Sequence, residues 1–154
     1  MFLIYGGTGA IGSAVARSLI GAGHRCHLVG RDGRKLEDLA MSLGADFTVG
    51  DVTDPALFEK ASAASATDGH LSGLVYAVGN IRLKPFHRLS REEVLEDFSL
   101  NALGALEAVK AARGPLTAGK GSVLLFSTVA VGQGFSNHAS VAMAKGAVEA
   151  LTRT

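Results

Sequence analysis

Apolar residues fall into short unbroken runs separated by longer amphipathic stretches. Phe2–Tyr5 is an apolar run of strand length. The stretch Ala10–Ile20 then places Ile11, Val15, Ala16 and Leu19 at helical spacing and predicts a helix with that face turned inward. The alternation repeats down the chain. A strand is expected over Arg25–Val29, a helix over Arg34–Leu43 and a short strand at Asp46–Val49. Pro55–Ala66 reads as a helix with Asp54 as N-cap and Pro55 at its first position, and Leu71–Val78 as a strand. "SREE" sets Glu93 three residues after Ser90, the spacing of a capping box. It opens a long helix to about Arg113, where Gly114-Pro115 predicts the stop. Ser122–Ser127 is another apolar run, the kind expected of a strand covered on both sheet faces. A last helix starts near Asn137 with no stop signal before Thr154, and we expect a chain shortened at its C-terminus.

Strands alternating with helices predict an α/β fold, a doubly wound parallel sheet of Rossmann type with right-handed crossovers. The 154 residues suit one dinucleotide-binding domain spanning 1–154. Composition refines this only slightly. A net charge of +1 gives no general attraction to nucleic acid or to an anionic membrane. No apolar run approaches the ~20 residues of a membrane span. The single cysteine, Cys26, forms no internal disulfide and reads as a small core residue, which suits a reducing, cytoplasmic setting. His24, His27, His70 and His87 lack metal-ligand spacing, and no metal site is expected.

Chemistry enters at "YGGTGAIG", between the first strand and the first helix. Gly6, Gly9 and Gly12 stand three apart. Glycines there allow a tight turn and close approach of backbone to a pyrophosphate, and the helix N-terminus offers free N–H groups and partial positive charge. After a strand, before a helix and at the head of β/α units, this is a dinucleotide-binding signature. It marks Gly6, Thr8, Gly9, Ala10, Ile11 and Gly12 as cofactor-binding. NAD binding calls for an acidic residue at the end of the second strand to hold the ribose hydroxyls. That position is Gly30, followed by Arg31, in "LVGRDGRK". A guanidinium grips a 2′-phosphate bidentately, so NADP is expected over NAD. Asp32 leaves an alternative, since a shift of one residue would let it take the acidic role.

At these residues the chain resembles the short-chain dehydrogenase/reductase family, and the resemblance continues in order to the end. "GDVTD" is similar to the segment after the third strand and implies that Asp51 and Val52 flank the adenine. "YAVG" stands where the family has Asn-Asn-Ala-Gly, placing Ala77, Val78 and Gly79 at the cofactor without either asparagine. Asn101, in "LNALGAL", matches the helix asparagine that supports a proton relay. "VLLFSTVAVG" resembles the catalytic-serine strand. The resemblance implies an oxidoreductase that moves hydride to or from a carbonyl, an alcohol or an activated alkene. It also implies a homo-oligomer, dimer or tetramer, built on the long helix and the active-site helix. Ala102, Ala105, Leu106 and Val109 could supply such a face or belong to the core.

The active-site helix departs from the family's commonest pattern. Lys145 matches its lysine, which binds the nicotinamide ribose. The tyrosine expected four residues earlier is Val141, which has no exchangeable proton. Thirteen residues before that lies Thr128, with Ser127 beside it, and either hydroxyl could hold the substrate oxygen. The enoyl-acyl-carrier-protein reductase branch places its tyrosine seven residues before the lysine, and here that position is His138. Positions seven apart share a helix face. An imidazole, with an ordinary pKa of about 6.5, suits proton exchange near neutrality. In its neutral form it can still donate through one nitrogen. The expected catalytic set is therefore Lys145, Thr128, Ser127, His138 and Asn101. The alternative is a non-catalytic NADP-binding sensor or partner subunit on the same fold.

Overall fold

Strands β1 (Phe2–Tyr5), β2 (Cys26–Gly30), β3 (Asp46–Val49), β4 (Gly73–Tyr76) and β5 (Ser122–Leu125) form one sheet in the order β3-β2-β1-β4-β5. These come from a computed structural model describing residues 1–154. β1 pairs in parallel with both β2 and β4, Phe2 lying opposite Cys26 and Gly73. β2 pairs in parallel with β3 from His27 and Asp46 onward. The parallel, doubly wound Rossmann-type sheet is therefore present. Its order reverses direction between β1 and β4, the switch point outside which such sheets bind ligands.

Contacts within the chain divide it into two compact units. The first comprises Met1–Val78 and Glu107–Leu124, the second Gly79–Leu106 and Leu125–Thr154. The first unit carries the crossover helices α1 (Ala10–Gly21), α2 (Gly33–Leu43) and α3 (Ala56–Ser65). Its core is the set expected for strands buried on both faces: Leu3, Ile4, Tyr5, Cys26, Leu28, Val29, Leu74, Val75 and Tyr76 are all buried. α1 meets this core through Gly12 and Ala16, four residues apart. Ile11 does not join them. It is 50% exposed.

The second unit contains a 3₁₀ turn at Phe86–Arg88, α4 (Arg91–Phe98), a π-helical turn at Ser99–Leu103 and the start of α5 (Gly104–Gly119). It also contains α6 (Ala130–Gln133) and α7 (Ala139–Leu151). α4 and the π turn both pack on α7. The capping box is formed as read: Ser90 Oγ accepts from the Glu93 N–H, and the Glu93 carboxylate accepts from the Ser90 N–H.

Three expectations about elements need correction. The long helix is not uniform, since one π turn interrupts it at Asn101. It does not stop at Gly114-Pro115 but runs through Pro115 to Gly119. β5 is shorter than its apolar run and is not covered on both faces, with Val123 and Leu124 42% and 45% exposed. It is an outermost strand of the sheet. No helix is long and apolar enough to cross a membrane.

Candidate active site

In the first unit, the turn after β1 is shaped by contacts that admit no side chain. Gly6 has φ of +79°, and a Cβ there would lie 2.8 Å from the Ala77 carbonyl oxygen and 3.1 Å from the Val78 nitrogen. A Cβ on Gly12 would collide with the backbone carbonyl of Gly6. Backbone on both sides leaves nothing to yield, so glycine is required at both positions. Gly9 is the N-cap of α1 and brings no side-chain hydrogen bond to the helix start, which leaves first-turn N–H groups for a ligand anion. The predicted residues Gly6, Gly9, Gly12, Ala77 and Val78 are thus brought together, and they fit a pyrophosphate cradle.

At the end of β2, the competing acidic candidate has local partners. Asp32 is the N-cap of α2: its Oδ1 accepts from the Lys35 N–H at 3.2 Å, and its carboxylate pairs with the Lys35 ammonium at 3.5 Å. These bonds hold its carboxyl below the usual range, the Lys35 backbone bond foremost. Asp32 thus caps α2 and keeps its side chain 45% exposed. Gly30 faces Thr8, whose Oγ1 would lie 3.5 Å from a Cβ added there. Asp51 accepts from both the N–H and the hydroxyl of Thr53 at 2.9 Å. Those bonds lower its pKa, with the Arg31 charge adding to them. Val52 follows it, partly buried.

In the second unit, Lys145 and Asn101 converge on Gly79. A Cβ on Gly79 would lie 2.6 Å from Asn101 Oδ1 and 3.4 Å from Lys145 Nζ. Asn101 is fully buried in the π turn, and its Nδ2 donates to Asn80 Oδ1 at 2.7 Å and to the Asp97 carbonyl at 2.8 Å. Its Oδ1 has no hydrogen-bond partner. A π turn inserts one extra residue and re-aims the side chains it carries. Here it presents an unpaired amide oxygen beside the lysine. Burial pushes the Lys145 ammonium below its ordinary pKa. A poised ammonium with an orphaned acceptor close by fits a site for a polar ligand such as a ribose.

A buried carboxylate that the sequence reading missed holds this region. Asp97 is 1% exposed. Its Oδ2 accepts from Ser140 Oγ at 2.6 Å, and its Oδ1 accepts from Asn80 Nδ2 at 2.5 Å and from Arg82 Nε at 3.4 Å. Arg82 also pairs with Glu93 and Glu96, and Lys84 with Glu93 at 2.8 Å. Asp97 thereby ties α4 to the first turn of α7 and to the segment after Gly79. One signal pointed to it: an acidic residue four before Asn101 shares the inward face of the helix.

The remaining catalytic candidates are not gathered into one hydrogen-bonded set. Ser127 donates to Glu149 Oε1 at 2.5 Å. Thr128 Oγ1 accepts from the Ala130 N–H at 3.3 Å and keeps its own hydroxyl proton to donate. Val141 is buried in the packing face of α7 with Ala144 and Val148. His138 is the N-cap of α7, with Nδ1 2.7 Å from the Ser136 carbonyl oxygen and its ring against Phe135. It makes no hydrogen bond to Lys145, Thr128 or Asn101.

Comparison with known proteins agrees with this arrangement. Residues 7–154 match the family model described as enoyl-(acyl carrier protein) reductase. An "inactive 2-(S)-hydroxypropyl-CoM dehydrogenase 2" from Xanthobacter autotrophicus is 36% identical over 143 residues, 90% of this chain and 62% of that protein. A short-chain dehydrogenase/reductase from Mycobacterium ulcerans superposes with a TM-score of 0.91 at 27% identity, over 97% of this chain and 58% of that one. An alcohol dehydrogenase from Thermococcus sibiricus, complexed with 5-hydroxy-NADP, has a TM-score of 0.91 at 27% identity, over 99% of this chain and 68% of that one. The chain thus spans about three-fifths of the length of such relatives.

Proposed function

The chain belongs to the short-chain dehydrogenase/reductase family, and we propose from this that it is an NADP-dependent oxidoreductase acting on an alcohol, a carbonyl or an activated alkene. The observation that carries the cofactor choice is the end of β2. Gly30 offers no carboxylate, Asp32 caps α2, and Arg31 is left as the charged group beside the site of a 2′-phosphate. That NADP analogue in the Thermococcus relative supports the same choice.

The Gly6–Gly12 turn would hold the pyrophosphate, Asp51 and Val52 the adenine, and Lys145 the nicotinamide ribose. When bound, the cofactor supplies the hydride acceptor or donor. Thr128 orients the substrate oxygen through its free hydroxyl proton, a role Ser127 gives up to Glu149. His138 exchanges the proton, and Asn101 supports Lys145. Arg31→Ala is expected to weaken NADPH binding about 10- to 100-fold, the loss of charge-assisted hydrogen bonds, while NADH binding stays the same. Calorimetric titration of both cofactors checks this, and an unchanged NADPH affinity would refute Arg31 as the anchor.

A second reading has two observations in its favour. The usual proton-exchanging position is Val141, fully packed away in α7, and the Xanthobacter relative carries the word "inactive" in its name. A non-catalytic NADP-binding subunit would bind NADPH normally and turn over no member of a broad carbonyl, alcohol and enoyl-thioester panel.

A further inference from the structure

We infer that Asp97 is a positioning residue, whose carboxylate, acting through Asn80, holds the Asn101 side chain with its oxygen on the Lys145 side. Asp97 Oδ1 lies 3.4 Å from Arg82 Nε, which only donates, so that oxygen accepts. Asn80 approaches the same oxygen at 2.5 Å and must meet it with Nδ2. Asn80 Oδ1 is then left to face Asn101, which answers with its own Nδ2 at 2.7 Å. The second proton of Asn101 Nδ2 goes to the Asp97 main-chain carbonyl at 2.8 Å. Both N–H bonds of the amide are thereby used. Its Oδ1 stays bare and borders Gly79, where a Cβ would lie 2.6 Å from it and 3.4 Å from Lys145 Nζ.

An amide oxygen is the negative end of the amide dipole. Placed beside an ammonium, it favours the charged lysine and works against the burial that disfavours it. A reversed amide would set N–H groups against the ammonium instead. The ionisable groups on the packed elements have other partners. On α4, Glu93 pairs with Lys84 and Arg82, Glu96 with Arg82, and Arg91 and Glu92 are exposed. α6 and the π turn carry no ionisable side chain. On α7 itself, Glu149 accepts from Ser127, and the His138 ring lies against Phe135.

A residue at 97 without an acceptor oxygen frees Asn80 to turn its Nδ2 towards Asn101. Asn101 then faces a donor on one side and a main-chain carbonyl on the other, and neither orientation of its amide satisfies both. That this positioning serves cofactor binding rests on the oxidoreductase reading above, in which Lys145 holds the nicotinamide ribose.

The whole protein carrying ¹³C-lysine is titrated by NMR through the lysine range, and the Lys145 ε-carbon signal is identified by its loss in Lys145→Met. Asp97→Ala should lower the Lys145 midpoint by about half a pH unit, the effect of one hydrogen-bond-sized interaction. Asp97→Asn removes the charge but keeps an acceptor for Asn80 and offers Ser140 an N–H, so the midpoint should not move. In an Asn101→Ala background, Asp97→Ala should lower it no further. An unchanged midpoint in Asp97→Ala would overturn the inference, and so would a rise, the mark of packing opened to water. A fall in Asp97→Asn, or a further fall in the Asn101→Ala background, would overturn it too, because Asp97 would then act by its charge alone. Should Asp97→Ala not fold, Asn80→Leu at a partly buried position cuts the same chain, and its midpoint should fall in the same direction; no fall there would also overturn the inference. Calorimetric NADPH titrations over the same pH range should show affinity falling off at correspondingly lower pH in Asp97→Ala. Wild-type protein that binds no NADPH would sink the oxidoreductase reading, while a lowered midpoint would still uphold the hold of Asp97 on Asn101.

Discussion

Lys145 holds a charge where its surroundings disfavour one. Burial lowers its pKa from the ordinary 10.5, and no opposing carboxylate restores it. The sign of the consequence is fixed. A folded-state pKa below the unfolded one penalises the folded protein while the group is charged in both states, and the penalty fades as pH rises through the lysine range. Lys145→Met is therefore expected to leave the melting temperature at pH 7 unchanged or about 1–3 °C higher, while NADPH affinity falls about 10-fold or more. The stability gain should shrink as pH rises towards 10. Scanning calorimetry at two pH values and a binding titration check it, and a lower melting temperature at pH 7 would mean that the ammonium has a structural partner. Lys145, Asn101 and the turn residues Gly6, Gly9 and Gly12 could be singled out as candidates from the sequence, because their spacing along one element is what the chemistry needs. Asp97, Ser140 and Glu149 were not. Asp97 and Ser140 meet across 43 positions of chain, and Ser127 and Glu149 across 22. No local spacing encodes such pairs.

Elements were legible where hydrophobic runs and caps decide them, as with β1, β3 and the Ser90 capping box. They were misread where a distant residue overrides a local rule, and Pro115 shows how. A proline inside a helix removes the N–H that would bond the carbonyl four residues back, here that of Ala111. In this fold Ser62 of α3, itself buried, donates its hydroxyl to that carbonyl at 3.0 Å. The Pro115 carbonyl in turn accepts from the Leu71 N–H at 3.0 Å. The helix therefore continues to Gly119 with its orphaned group satisfied from outside. Ser62→Ala should destabilise the protein by about 1–3 kcal/mol, the range for a buried acceptor left unpaired. In a Pro115→Ala background, where residue 115 supplies its own N–H, the same change should have a smaller effect. Urea unfolding of the four proteins gives the coupling as a double-mutant cycle. Additive effects would show that Ser62 does not compensate for the proline. The π turn at Asn101 escaped prediction for a related reason: an inserted residue has no propensity signature, and only packing stabilises it.

At the scale of the whole molecule, charge and exposed apolar surface bear on self-association. Ala102 and Ala105 are buried within the chain and belong to its core. Leu95, Leu103 and Leu106 face outward, the last two 47% and 40% exposed. Residues three apart on helical backbone lie side by side, so Leu103 and Leu106 form one apolar patch. We propose that a second copy covers this patch. In a two-fold interface the same surface is used by both chains, so each leucine contributes twice, and covering the part of each still exposed contributes about half of the 1.5–3 kcal/mol of full burial. A net charge of +1 opposes the approach of like chains only weakly. Light scattering coupled to size exclusion should therefore give a multiple of the 15.8 kDa chain mass. Leu103→Glu combined with Leu106→Glu would place four carboxylates in the interface of a dimer and should return the mass to that of one chain. Both positions face solvent in the single chain, so helix content measured by circular dichroism should not change. A wild-type protein that already runs at one chain mass, or a double variant that stays assembled, would rule out this patch as the contact.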